Sequence, residues 1–103
     1  MEIDIKKKLA KNWFKVLQDT ICFDIEEIEK KKIKFVCKNW QRSKKKNEGG
    51  GEYRILENGK IFEKVGVNFS EVYGKFPNKF RNKIPGAKKN PKFWASGISV
   101  VMH

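Results

Sequence analysis

Lys60-Ile61-Phe62-Glu63-Lys64-Val65-Gly66-Val67-Asn68-Phe69-Ser70-Glu71-Val72-Tyr73 is the stretch whose reading decides the fold. It is rich in valine and aromatic residues and reads as one long strand, with Gly66 as a candidate bulge. Asn58-Gly59, just before it, is the strongest short hairpin signal, because both central positions of a type I′ turn require positive φ. Residues 52–57 are then the antiparallel neighbour. Upstream, Ile33, Phe35 and Cys37 alternate with Lys34, Val36, Lys38 and Trp40, which predicts another strand over residues 33–40. Residues 41–51 end in Gly49-Gly50-Gly51 and read as a loop, since three glycines hold no regular element cheaply.

Further out on the N-terminal side, residues 3–29 carry a helical period. Trp13, Leu17, Ile21, Ile25 and Ile28 form the predicted buried stripe, widened by Phe14 and Val16, with Lys7, Lys8, Lys11, Lys15 and Gln18 opposite. Asp4 near the start and Lys30-Lys31-Lys32 at the end suit the helix dipole, and Asp19-Thr20 or Asp24 mark a candidate internal break. On the C-terminal side, residues 74–92 are broken by Gly74, Pro77, Pro85, Gly86 and Pro91, and residues 93–103 read as a buried strand. The expected fold class is α+β: an N-terminal helix followed by an antiparallel β meander, an open sheet with one helix that reads as half of something larger. The last strand reaches His103 without a turn or cap, so residues 1–103 are expected to be the N-terminal portion of a longer domain.

Composition narrows the function classes. The 103 residues hold 24 Lys+Arg against 12 Asp+Glu, a formal charge of +12, and are 39% hydrophobic, which fits one domain with a small core. No apolar run approaches the roughly 20 residues of a membrane-spanning helix, and Met-Glu-Ile-Asp-Ile-Lys-Lys-Lys is no secretory leader. A cytoplasmic location follows as the expectation, with Cys22 and Cys37 as reduced thiols on buried faces. One histidine and two scattered cysteines do not make a zinc site. The charge invites a nucleic-acid partner, but only Arg42, Arg54 and Arg81 are arginines among the 24 basic residues, and arginine is the residue of base-edge and phosphate forks. The competing reading is a small basic nucleic-acid-binding module with Trp40, Tyr53, Phe62 and Phe69 as stacking platforms.

The ordered motifs carry more than composition does. Leu17-Gln18-Asp19-Thr20-Ile21-Cys22, Trp40-Gln41-Arg42, Gly49-Gly50-Gly51, Arg54-Ile55-Leu56, residues 61–70, and Phe93-Trp94-Ala95-Ser96-Gly97-Ile98-Ser99-Val100-Val101-Met102-His103 follow one another at set separations. In this order the series resembles the N-terminal third of oxygen-dependent coproporphyrinogen III oxidases. The resemblance implies an oxidoreductase of haem biosynthesis that decarboxylates two propionates of coproporphyrinogen III to vinyl groups, giving protoporphyrinogen IX with O₂ as electron acceptor. It implies that the helix and meander are part of a larger antiparallel sheet flanked by helices, and it implies a homodimer and no organic cofactor, with a divalent metal cation assigned in some bacterial members. The groups of acid/base catalysis and substrate clamping lie beyond the matched third, so no catalytic residue is expected in this chain. The isolated chain is expected to be inactive, and a separately encoded C-terminal piece is a candidate partner.

Two positions carry over by resemblance. Ser99 matches the family's substrate-contacting serine, whose hydroxyl can bond a propionate carboxylate. A strand serine more often bonds backbone or water. His103 matches a metal-ligand position, and a spacing of four on a strand puts it on the same face as Ser99. A single histidine makes no metal centre without converging partners. Glu63, Asn68 and Ser70 belong to the recognisable stretch without an assigned role. Seven basic residues and no acid follow Glu71, a positive field that suits a tetracarboxylate. Glu48, Lys38, Glu71 and Tyr73 depart from what the family commonly carries at those positions.

Overall fold

The computed structural model describes residues 2–103. Helix α1 spans Ile3–Ile28 without interruption, so neither Asp19-Thr20 nor Asp24 breaks it. Its inward side differs from the expected stripe. Gln18, Cys22 and Ile25 are buried, whereas Trp13 is 62% exposed and Ile28 is 52% exposed. The helix is apolar on two sides, because Leu9, Trp13, Val16 and Phe23 form an outer row at helical spacing. The sheet selects the side that carries Gln18, since its amide finds backbone partners there: Nε2–H bonds the Glu52 carbonyl at 2.9 Å and the Val67 carbonyl at 3.2 Å. A buried amide so bonded costs little.

Four strands follow: β1 (Val36–Gln41), β2 (Gly49–Glu57), β3 (Lys64–Lys75) and β4 (Lys92–Met102), in sheet order 1-2-3-4 and all antiparallel. A four-residue helix α2 (Asn78–Arg81) lies in the otherwise irregular segment before β4. The meander and the α+β class are therefore as expected. Under α1, Cys22, Ile25, Leu56, Val65 and Val67 make the core, with Ile21, Ile33, Phe35, Phe62 and Ile98 packed around it.

Four local readings are corrected. Gly49-Gly50-Gly51 are not loop but the first residues of β2. They lie so close to both neighbours that a Cβ on Gly50 would overlap the Trp40 carbonyl and one on Gly51 the Phe69 carbonyl. Glycine serves here as close approach between paired backbones. The connection after β2 is not a two-residue hairpin: only Asn58 has positive φ (61°), and residues 58–63 separate the strands. Glu29, just past α1, holds this wider turn. Its carboxylate accepts N–H bonds from Lys60, Ile61 and Phe62 at 2.8–3.2 Å. Gly66 forms no bulge, since the β2–β3 register runs unbroken through Ile55↔Gly66. Finally, β4 is only partly buried. It pairs with β3 alone, and Val100, Val101 and Met102 are exposed. Cys22 is buried as expected, and burial pushes its thiol up to about 11, while Cys37 is exposed on edge strand β1.

Candidate functional site

Cross-strand partners share a face of the sheet and alternate residues change face. Register therefore sorts the sheet into a side covered by α1 and an open side. Val67, Phe69 and Glu71 lie beneath α1. On the open side the partners form rows. One row is Lys38, Tyr53, Asn68 and Ser99, one residue from each strand. The row beside it is Trp40, Gly51, Ser70 and Gly97, and the row on the other flank is Val36, Ile55, Gly66 and Val101.

The polar row is built to donate. The Trp40 indole Nε1–H bonds the Asn68 Oδ1 at 2.9 Å, which leaves the Asn68 amide group as donor toward the open side. Lys38, Tyr53 and Ser99 add an ammonium and two hydroxyls. Each flanking row carries glycine, Gly51 and Gly97 on one side and Gly66 on the other, beside larger side chains such as Trp40 and Ile55. Gly66 lies under the Tyr53 ring, whose hydroxyl would be 2.9 Å from an added Cβ, and a Cβ on Gly97 would meet nothing within 4 Å. The result is a sheet face crossed by a line of donors, suited to a ligand bearing carboxylates.

Ser99 stands in this row opposite Asn68 and is exposed. His103 continues the same side. Its N–H bonds the Lys64 carbonyl at 2.9 Å, and its carbonyl accepts from Glu63 N–H at 2.8 Å, so the ladder extends through the residue. Ser99 and His103 thus lie on one face. Among the described residues no group of three His, Cys, Asp or Glu side chains converges.

Sequence reasoning gave Lys38 and Asn68 no role, and gave Tyr53 one only as a stacking platform in the nucleic-acid reading. The signal lay in register, which places residues from three distant segments beside Ser99. The four aromatic residues of the nucleic-acid reading do not form one platform: Trp40 and Tyr53 face the open side, whereas Phe69 is buried beneath α1. Arg54 is also on the helix side, where Asp19 at 2.7 Å and Glu52 hold it in an internal ion-pair triad. Burial works against its charge, but the two carboxylates outweigh that and hold it protonated.

Residues 9–103 match the sequence profile of the family described as coproporphyrinogen III oxidase. The oxygen-dependent coproporphyrinogen-III oxidase of Rickettsia felis is 47% identical over 105 residues, which covers 94% of this chain and 36% of that enzyme. The enzymes of the same name from Rickettsia africae and Rickettsia typhi are 46% and 44% identical with the same coverage. The chain therefore spans about a third of the length of the curated relatives it matches. No helix among the described residues is long and apolar enough to cross a membrane.

Proposed function

The chain belongs to the coproporphyrinogen III oxidase family, and we propose that it supplies the substrate floor of an oxygen-dependent oxidase of that kind. The substrate would be coproporphyrinogen III, with O₂ as co-substrate, in the cytoplasm. At each of two propionates the reaction is R–CH₂–CH₂–COO⁻ + O₂ + H⁺ → R–CH=CH₂ + CO₂ + H₂O₂. The carboxylate carbon leaves as CO₂, and its bonding pair becomes part of the new C=C bond. The carbon attached to the ring gives up a hydrogen, and two electrons and two protons end on O₂ as H₂O₂. The observation that carries the reading is the Lys38–Tyr53–Asn68–Ser99 row on the open face of the sheet.

In this reading Ser99 donates its hydroxyl to a propionate carboxylate, and Asn68, oriented by Trp40, donates beside it. Donors of this kind bind and orient the carboxylate and do not remove a hydrogen from carbon. The chemistry therefore needs groups outside residues 1–103, and the chain alone is inactive. His103 would offer one ligand to a divalent cation completed by such groups. The homodimer of the family and a separately encoded remainder are the partners this reading expects.

The test is a chimera in which residues 9–103 replace the matching segment of the Rickettsia felis enzyme, assayed for conversion of coproporphyrinogen III under air. Turnover by the chimera, with none from the 103-residue chain, is expected. A folded chimera without turnover would overturn the proposal.

A further inference from the structure

A wide groove among the described residues is not on the Ser99 side. It lies on the helix-covered side, between the first turns of α1 and the end of the sheet where β3 and β4 meet the segment after Lys75, and its volume is about 1120 Å³. Trp94 and Tyr73 contribute aromatic floor, and Lys6, Lys7, Lys75 and Lys92 contribute ammonium groups.

Lys6, Lys75 and Lys92 are exposed and Lys7 is half-buried, and three observations bear on what the cluster could bind. First, Lys75 and Lys92 are direct cross-strand partners in the β3–β4 ladder. Like charges placed opposite each other destabilise a sheet. Second, none of the four lysines is ion-paired among the described residues. The one acid in the groove, Glu71, is already engaged by Lys11 at 3.1 Å and by the Trp94 indole N–H at 3.0 Å. Third, that bond fixes Trp94 edge-on to Glu71, and Lys7 Nζ lies 5.8 Å from its ring centroid. An ordered aromatic surface thus sits among unneutralised cations.

We propose that this groove binds a small amphipathic organic anion, with an apolar body against Trp94 and two or more carboxylate or phosphate oxygens among Lys6, Lys7, Lys75 and Lys92. Charge complementarity selects the ligand: a neutral apolar molecule leaves the Lys75–Lys92 repulsion in place, and a bare inorganic anion leaves the aromatic floor uncovered. Local repulsion that a ligand relieves is a mark of a site rather than of a scaffold.

The experiment is a ¹⁵N-NMR titration of the full chain. The probes are naphthalene-2,6-dicarboxylate and 1-naphthyl phosphate, which separate carboxylate from phosphate recognition. Controls are 2-naphthol, inorganic sulfate and an oligo-glutamate peptide. Saturable shifts of the Trp94 indole N–H and the Lys75 and Lys92 amides by at least one anionic naphthalene, weaker for every control, are expected. Lys75→Glu is expected to weaken that binding about tenfold, while raising Tm because it converts a like-charge pair into an opposite one. Lys7→Gln weakens it to a smaller degree, and Ser99→Ala leaves it unaltered, which separates the groove from the open face. Shifts confined to Trp13 or Trp40, tighter binding of 2-naphthol, sulfate or the peptide, or a Lys75→Glu chain that binds as before would each overturn the proposal.

Discussion

Replacing Gln18 tests how the helix is fixed over the sheet. The side chain is 1% exposed and is bonded to carbonyls of two adjacent strands, Glu52 on β2 and Val67 on β3. Gln18→Ala removes both bonds, at about 1 kcal/mol net each. It also leaves a void between α1 and the sheet, which adds about 1 kcal/mol. The sum is about 3 kcal/mol, and for a domain of this size that lowers Tm by more than ~10 °C. Gln18→Met keeps the volume and loses the bonds, so it should cost about 2 kcal/mol. The difference between the two variants isolates the void. Gln18→Glu should be the worst of the three, since it sets a carboxylate against two carbonyl oxygens with no donor. Urea unfolding followed by circular dichroism, with m-values checked for constancy, measures all three. A Gln18→Ala chain that loses less than about 0.5 kcal/mol would refute the claim that this amide pins α1 to β2 and β3.

Other expectations are narrower. Bonds from the Phe62, Ile61 and Lys60 N–H groups outweigh the burial that opposes the charge, and they hold the Glu29 carboxyl below its usual range. A depressed folded-state pKa gives stability that is fully present above the unfolded carboxylate pKa and is lost as pH falls through the folded one. Stability should therefore drop as pH is lowered below about 4.5, and Glu29→Gln should flatten that part of the pH profile in urea titrations. Gly51→Ala should cost about 1–3 kcal/mol by overpacking, because its Cβ would overlap the Phe69 carbonyl, whereas Gly97→Ala should be near neutral in thermal melts because its Cβ meets nothing. In native protein one thiol, Cys37, should react with a disulfide reagent and Cys22 should not, with both reacting in urea; equal native rates would contradict the burial of Cys22.

What was legible in the sequence was whatever depends on local pattern. The helical period of α1 and the valine- and aromatic-rich run of β3 are set within their own segments and appear in the structure, whereas the strand expected over residues 33–40 begins only at Val36 and leaves Cys37 exposed. The misreadings of Gln18, of the β2–β3 connection and of the glycine run each trace to a partner distant in sequence. Gln18 reads as a solvent-facing residue until two strand carbonyls 34 and 49 residues away receive its amide. Asn58-Gly59 reads as a tight turn until Glu29, from the end of α1, opens the connection and gathers its N–H groups. Gly49-Gly50-Gly51 read as loop because the tight pairing with Trp40 and Phe69 that requires them is not local. At the site, Ser99 and His103 could be placed on one face by counting along a strand. Lys38, Tyr53 and Asn68 could not be placed beside Ser99, because register across four strands is a tertiary fact.

The central claim is that the open face holds substrate carboxylate through Ser99. Its most direct measurement is the steady-state kinetics of Ser99→Ala in the chimera with the Rickettsia felis enzyme, using coproporphyrinogen III under air. A hydrogen bond to a charged group is worth about 1.5–3 kcal/mol, so KM should rise about tenfold or more with kcat little changed, in protein whose circular dichroism spectrum matches that of the parent chimera. An unchanged KM would contradict the account.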